Sequence, residues 1–393
     1  MVVGGNDAAQ AVERPRIVLF SGGTACRNIN IALSRRGADL TRIVPAWDSG
    51  GSSKPIRETF RMLPVGDVRQ ALMTMAHGEG RAGDVVKIFN ARLSSALGND
   101  EARSEFEFYA QGAHPLLQRM APELRDAILT YLDLFGRSAP ADFDYRNGSI
   151  GNFILTGAYL AADDDINAAV AVFRQLCSIE GQVWPASVRP DIQLAATLRD
   201  GRLISGQHRV TALDDDQSAT GISAVALGPA GDVVANEAAF EAIETADAIV
   251  FGPGSFFTSI LPHLLVDGII PAIAANRRAP RIFIGNILEC AETRGRRLSD
   301  LLEIFLATWR RDTERRRGLT HVLSNRELFP FAKTVGKFRY VREGDLENLC
   351  RRERLAWVSG EFEDAWVRGQ HDGEEAANAL LRIIDNPYGP DEG

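Results

Sequence analysis

A strand that runs straight into a glycine-proline-glycine-serine turn, in ADAIVFGPGSFFTSILPHLL (246–265), narrows the folds open to this chain more than any other segment. Ile249, Val250 and Phe251 form a short apolar run, long enough for a strand buried on both faces, as in parallel sheets. Gly252, Pro253 and Gly254 then turn the backbone sharply, and neither glycine carries a Cβ to hold a ligand away. Ser255, Thr258 and Ser259 put hydroxyls where the next helix is expected to begin, an arrangement suited to an anion. A second turn of this kind, Ser21-Gly22-Gly23-Thr24, follows the apolar run Arg16 to Phe20. Two polar, glycine-bearing turns at strand ends predict a phosphate-bearing ligand held between them.

Around these turns the chain alternates strand and helix patterns, which predicts an α/β fold: a Rossmann-like three-layer αβα body with a mostly parallel sheet. A helix is expected from about Cys26 to Arg36 and a second strand from Leu40 to Trp47. Residues 84–147 read as a helical insertion, and 183–213 as a β-rich segment with a hairpin turn at Asp200-Gly201. Further strands are expected at 248–252, 281–285 and 320–324, with helices at 237–245 and 268–276. The expected division is a disordered tail at 1–15, a nucleotide-binding domain at 16–325, and a C-terminal extension at 326–393 packed on the core. That extension reads as irregular until a last helix, Glu374 to Ile384.

The second strand ends in Asp48-Ser49-Gly50-Gly51-Ser52-Ser53-Lys54, which offers amides, hydroxyls and a potential metal ligand. Magnesium prefers one or two carboxylates plus phosphate oxygens, and Asp67 is the natural second carboxylate. Its bland alternative is to cap the helix that follows Pro64-Val65-Gly66. Asn152 and Asn286 are candidate contacts to a base, sugar or phosphate, or else asparagines bridging two loops. The opening turn is neither a Walker A loop nor a full GxGxxG, although Asp48 sits where a dinucleotide fold places its ribose-binding acid. His263, between Pro262 and Leu264, reads as a packed histidine, and no histidine stands beside a nucleophile in sequence.

At 45% hydrophobic and 24% charged, the 393 residues are ordinary for a globular protein. A net charge of −8 argues against nucleic acid as the main partner; Arg310-Arg311 and Arg315-Arg316-Arg317 read as a solvated helix end. Cys26, Cys177, Cys290 and Cys350 lack zinc-ligand spacing and suggest free thiols in a reducing cytoplasm. No apolar run approaches the ~20 residues that span a bilayer, so a cytoplasmic protein without a membrane partner is expected.

Taken in order, the motifs resemble the CofD-like superfamily, which contains 2-phospho-L-lactate transferase and gluconeogenesis factors that bind UDP-sugars. FSGGT is similar to that family's first glycine turn, and WDSGGSSKPIR to its aspartate loop, usually DDGGSSG. LPVGDVRQAL matches PPGDIR through Pro64, Gly66, Asp67 and Arg69, and SIGNFIL a helix start through Gly151 and Asn152. GPGSFFTSILPHLLVDGI is close to its most specific string; GNILECAETRG and Gln370-His371-Asp372 also resemble its elements. There is some likeness to the subgroup of the GAK system, associated with an ATP-grasp enzyme and a kinase.

The resemblance implies a GDP- or UDP-linked conjugate bound across the carboxyl edge of the sheet, bound magnesium, and a homodimer as the expected assembly. In the transferase, phospholactate passes from a guanosine diphosphate carrier to a deazaflavin alcohol. Carried onto this sequence, the amides of Gly22 to Thr24 and of Gly252 to Ser255 hold the diphosphate. Asp48 and Asp67 hold Mg2+, with Asp48 the expected general base. Two departures bear on catalysis: Ser49 replaces a second aspartate, and Lys54-Pro55 replaces a glycine and a basic residue. Lys54 is a candidate substitute for part of the metal's charge. The loop is nearer the gluconeogenesis-factor form, and a non-catalytic nucleotide-sugar regulator is the alternative function.

Overall fold

The computed structural model describes residues 14–76, 81–229, 233–311, 318–326 and 333–387. Most of the expected disordered tail (1–13) and the basic run 315–317 lie outside the described residues.

In chain order the first half holds β1 (Arg16–Phe20), α1 (Arg27–Arg35), β2 (Asp39–Val44), α2 (Ser53–Phe60) and α3 (Gly66–Met75). The helices α4 (Arg81–Asn90), α5 (Asn99–Ala110), α6 (Pro115–Gln118), α7 (Pro122–Ser138), α8 (Ile150–Ala161) and α9 (Ile166–Leu176) follow. Then come β3 (Gln182–Pro185), β4 (Gln193–Leu198), β5 (Leu203–Ser205), α10 (Gln207–Thr211), α11 (Asp215–Thr220) and β6 (Ile222–Gly228). The alternation returns with α12 (Glu237–Thr245), β7 (Ala248–Phe251), α13 (Ile269–Ala275), β8 (Arg281–Ile284), α14 (Leu298–Arg310) and β9 (His321–Asn325). The chain closes with β10 (Thr334–Val335), β11 (Phe338–Arg339), α15 (Leu346–Glu353), β12 (Ala356–Gly360) and α16 (Gly373–Asp385).

Seven strands form one sheet in the order β12-β9-β8-β7-β1-β2-β3, and every pairing in it is parallel. Helices cover both faces, which is why β7 is buried at all four residues and the strands are runs of Ile, Val and Phe. Phe20 stacks on Phe251 with centroids 4.8 Å apart, joining β1 to β7. The expected hairpin forms between β4 and β5, and β6 adds to β4 to complete a small antiparallel sheet. Between β2 and β3 the helices surround α8, around an aromatic cluster of Phe106, Phe135, Phe143, Tyr145 and Phe153.

Three local expectations need correction. The second strand stops at Val44, and Trp47 instead buries its ring and donates Nε1–H to the Thr258 carbonyl at 2.8 Å. The stretch from about 329 is not merely irregular, since β12 pairs in parallel with β9 as an edge strand of the main sheet. Residues 182–185 likewise join the main sheet, as β3, rather than the small one.

The connectivity fixes the site. From β1 the chain builds outward through β2 to β3, then returns to the other flank of β1 at β7 and builds outward through β8, β9 and β12. The sheet's topological switch point therefore lies between β1 and β7, and both glycine turns leave the carboxyl ends of those two strands. Open parallel sheets bind ligands in the crevice at such a point.

Candidate functional site

The two turns touch. A Cβ on Gly22 would stand 2.9 Å from the Ser259 hydroxyl, and one on Gly254 would stand 3.5 Å from the Gly22 amide nitrogen. A side chain at Gly22 would press on the Ser259 side chain, which would have to shift. Arg42, wholly buried in β2, braces the first turn from below. Its guanidinium donates to the Ser21 hydroxyl at 2.7 Å, the Gly23 carbonyl at 3.3 Å and the Gly22 carbonyl. Those two carbonyls are held inward. The Gly23 amide, expected to face a diphosphate, donates to Asp67 Oδ1 at 3.2 Å.

The second turn has a brace of its own. Asn286, just past β8, accepts from the Gly254 amide at 3.1 Å and donates to the Gly254 carbonyl at 2.7 Å. Its amide group is spent on holding the turn, the bridging role. After Ser255 the backbone forms a π-helical turn over Phe256–Ile260 and then a 3-10 turn, Leu261–Leu265, instead of the expected regular helix. Buried Glu292 makes this possible by accepting from the Phe257 amide at 3.0 Å and the Thr258 hydroxyl at 2.7 Å. Burial pushes the Glu292 carboxyl up to about 7.

Asp48 and Asp67 come together at the start of α3. A Cβ on Gly66 would lie 2.5 Å from both Asp48 Oδ2 and the Ser53 hydroxyl, so the Asp48 loop is laid directly on the first turn of that helix. Asp48 Oδ1 accepts from the Gly50 amide at 3.0 Å, and burial raises its carboxyl above the usual range. Asp67 is pushed up to about 7, first by burial and then by the charge of Asp48. It does not cap its own helix: Oδ1 reaches across to Gly23, and Oδ2 is buried with no partner among the described residues.

An orphaned carboxylate oxygen beside a second carboxylate fits a hard divalent cation, which relieves both burial and repulsion. Among the described residues no group of three or more His, Cys, Asp or Glu side chains could hold a metal. Magnesium needs fewer, since phosphate oxygens and water complete its shell.

Asn152 is wholly engaged inside the protein. Its Nδ2 donates to Ser52 Oγ at 3.0 Å, and its Oδ1 accepts from Arg69 Nε at 2.8 Å. Lys54 lies exposed on α2 with its Nζ 3.9 Å from Glu58, turned to neither aspartate. Gly51, at the tip of the Asp48 loop, has a positive φ of 55° and open space around it. His263 is packed between the rings of Phe20 and Trp47, and burial takes it down to about 3.

Sequence reasoning missed one group at this edge. His208, on the short α10 beyond the hairpin, holds the Ser49 hydroxyl through Nδ1 at 2.8 Å, so a histidine does stand beside a serine. The pair is separated by 159 residues, and the only local signal is the glycine before the helix, Gly206, with φ 96°.

A parallel α/β sheet with paired glycine turns at its switch point and two carboxylates beside them defines the class as an open α/β protein with a crevice site. The chain matches the family described as 2-phospho-L-lactate transferase CofD over residues 17–348, and it belongs to that family. It is 30% identical over 374 residues to the gluconeogenesis factor of Listeria monocytogenes, covering 95% of this chain and 97% of that protein. The Bacillus subtilis gluconeogenesis factor is 25% identical over 276 residues, 70% of this chain and 69% of that one. The crystal structure of protein BH3568 from Bacillus halodurans superposes with a TM-score of 0.71 at 25% identity, covering 94% of this chain and all (100%) of that one.

Proposed function

We propose that the protein binds a nucleoside diphosphate-linked small molecule at the paired turns and transfers its phospho-group to an alcohol acceptor. The observation that carries this reading is the contact between the Gly22 and Gly254 turns at the switch point, with the orphaned Asp67 Oδ2 beside them. The remaining amides of the two turns bind the diphosphate, and Arg42 and Asn286 keep the turns in place. Asp48 and Asp67 would hold Mg2+, which when bound supplies positive charge to offset the phosphoryl oxygens. The acceptor oxygen forms a bond to the phosphorus next to the small molecule while the bridging P–O bond breaks. The nucleoside monophosphate leaves, and Asp48 takes the acceptor's proton.

A second reading, a nucleotide-sugar-binding regulator without turnover, is favoured by the Ser49 hydroxyl being held by His208 where an acidic relative would offer a carboxylate. One experiment separates the two. The protein is incubated with GDP- and UDP-linked conjugates, Mg2+ and candidate alcohols, while release of nucleoside monophosphate and calorimetric binding are both followed. Transfer predicts release that Asp48→Asn abolishes; tight binding without release makes the protein a sensor. Failure of every conjugate to bind defeats both.

A further inference from the structure

Near this site a second buried arginine has no counter-ion among the described residues. Arg69 is 4% exposed, yet everything its guanidinium meets is neutral. Nε donates to Asn152 Oδ1 at 2.8 Å, while Nη1 donates to the Phe89 carbonyl at 3.3 Å and Asn90 Oδ1 at 3.2 Å. Nη2 has no protein partner among the described residues. A second cation, Arg92, stands nearby, and its Nη1 bonds Ser52 Oγ at 3.3 Å and the Asn147 carbonyl at 2.9 Å. Ser52 Oγ thus accepts from both Arg92 and Asn152, which leaves its own proton to donate outward.

The fold holds this charge where it is least favourable. Arg69 lies across the amino-terminal end of α8, already the positive end of a helix, whose first turn carries no acidic residue. A Cβ on Gly151 would come 2.7 Å from Arg69 Cδ, so a glycine is what lets the side chain lie there. A buried cation beside an exposed one and a helix terminus, with no anion among the described residues, is costly, and a bound anion with matching acceptors removes that cost.

We propose that Arg69, Arg92 and Ser52 form an anion subsite that takes a carboxylate or phosphate group of the second reactant. Arg69 follows Asp67 by two residues, about 200° around α3, so this subsite lies on the other side of the helix from the orphaned Asp67 oxygen. The glycine turns thus hold one reactant and the arginine pair the charged end of the other, with the Asp48 loop between them. That division rests on the transfer reading; the anion subsite itself does not.

The test titrates inorganic phosphate, and acetate in a parallel arm, into the full chain by calorimetry. Each is run with and without saturating GDP or UDP, which fills the turns. The expected result is phosphate or acetate binding that persists with nucleotide bound. In Arg92→Ala and Arg69→Lys it weakens about tenfold more than nucleotide affinity does, while in Arg103→Ala, on exposed α5, it is unchanged. A phosphate-only or acetate-only response identifies the group. Binding of neither anion to the wild type, or equal affinity in Arg92→Ala, overturns the subsite. Arg92 is exposed, so its variant remains decisive where the Arg69 variant fails to fold. Failure of the nucleotides to bind, with the anion response intact, removes the transfer reading and leaves the subsite standing.

Discussion

Single atoms decide much of this site. Gly66 is where the Asp48 carboxylate and the Ser53 hydroxyl sit against α3, each 2.5 Å from where a methyl group would stand. Gly66→Ala is therefore expected to lift the Asp48 loop, costing about 1–3 kcal/mol of stability. Nucleotide affinity in the presence of Mg2+ should fall with it, checked by denaturant unfolding and calorimetry. His263 illustrates the opposite case, a polar group with nothing to do. Both ring nitrogens are buried without a partner among the described residues, and the ring fills space between Phe20 and Trp47. His263→Leu removes that desolvation cost at similar volume and should raise stability at pH 7 by about 1–2 kcal/mol, read as a shift in urea midpoint.

Among the elements, β2 departs furthest from expectation. A strand between two neighbours should be apolar, yet its Arg42 is buried and spends its donors on the first glycine turn and Thr74. The side chain converts a strand position into a brace for a loop. Arg42→Met should leave the Ser21, Gly22 and Gly23 oxygens without donors. It is expected to cost about 2–4 kcal/mol in chemical denaturation and to weaken nucleotide binding disproportionately. Most strands and helices were legible because their signals are local: apolar runs for β1, β7 and β8, and a Ser149 cap for α8. The π-helical turn after Ser255 was not, because the acceptor that stabilises it, Glu292, comes from 34 or more residues downstream. Nor was β12 legible, since Ala-Trp-Val-Ser-Gly is short, mostly exposed and without alternation, and it becomes a strand through its pairing with β9.

For the whole molecule, buried titratable groups pull stability in opposite directions with pH. Glu292 is raised from 4.5 to about 7, so between those values the folded state binds more protons than the unfolded. Its contribution is complete below pH 4.5 and is lost as pH rises through 7. Asp67, raised to about 7, acts in the same sense until a cation binds. His263 and His371 are lowered from 6.5 to about 3 and about 4, so the unfolded state binds more protons there and stability is lost as pH falls below 6.5. These slopes oppose each other between pH 4.5 and 6.5. Glu292→Gln keeps the shape and the acceptor for the Phe257 amide, with the Thr258 contact reversed so that the Gln amide donates to the hydroxyl. It should therefore unmask the histidines, giving stability that climbs more steeply with pH in that window by up to about 1.4 kcal/mol per unit. Urea unfolding from pH 4.5 to 7 would show it, and parallel curves for variant and wild type would contradict it.

The candidate site divides along the same line between local and distant causes. The chain order of its motifs was enough to give the parallel α/β fold, the two glycine turns and the family, because a strand, a tight turn and a helix start are each written within a few consecutive residues. Tertiary structure alone decided which polar groups remain free. It spent the Gly23 amide on Asp67 and both asparagines on internal bridges, paired Ser49 with His208, and, among the described residues, left Asp67 Oδ2 and the Arg69 charge unanswered. Hydrogen bonds between segments far apart in sequence are settled by distance and burial, and neither quantity exists before the chain has folded.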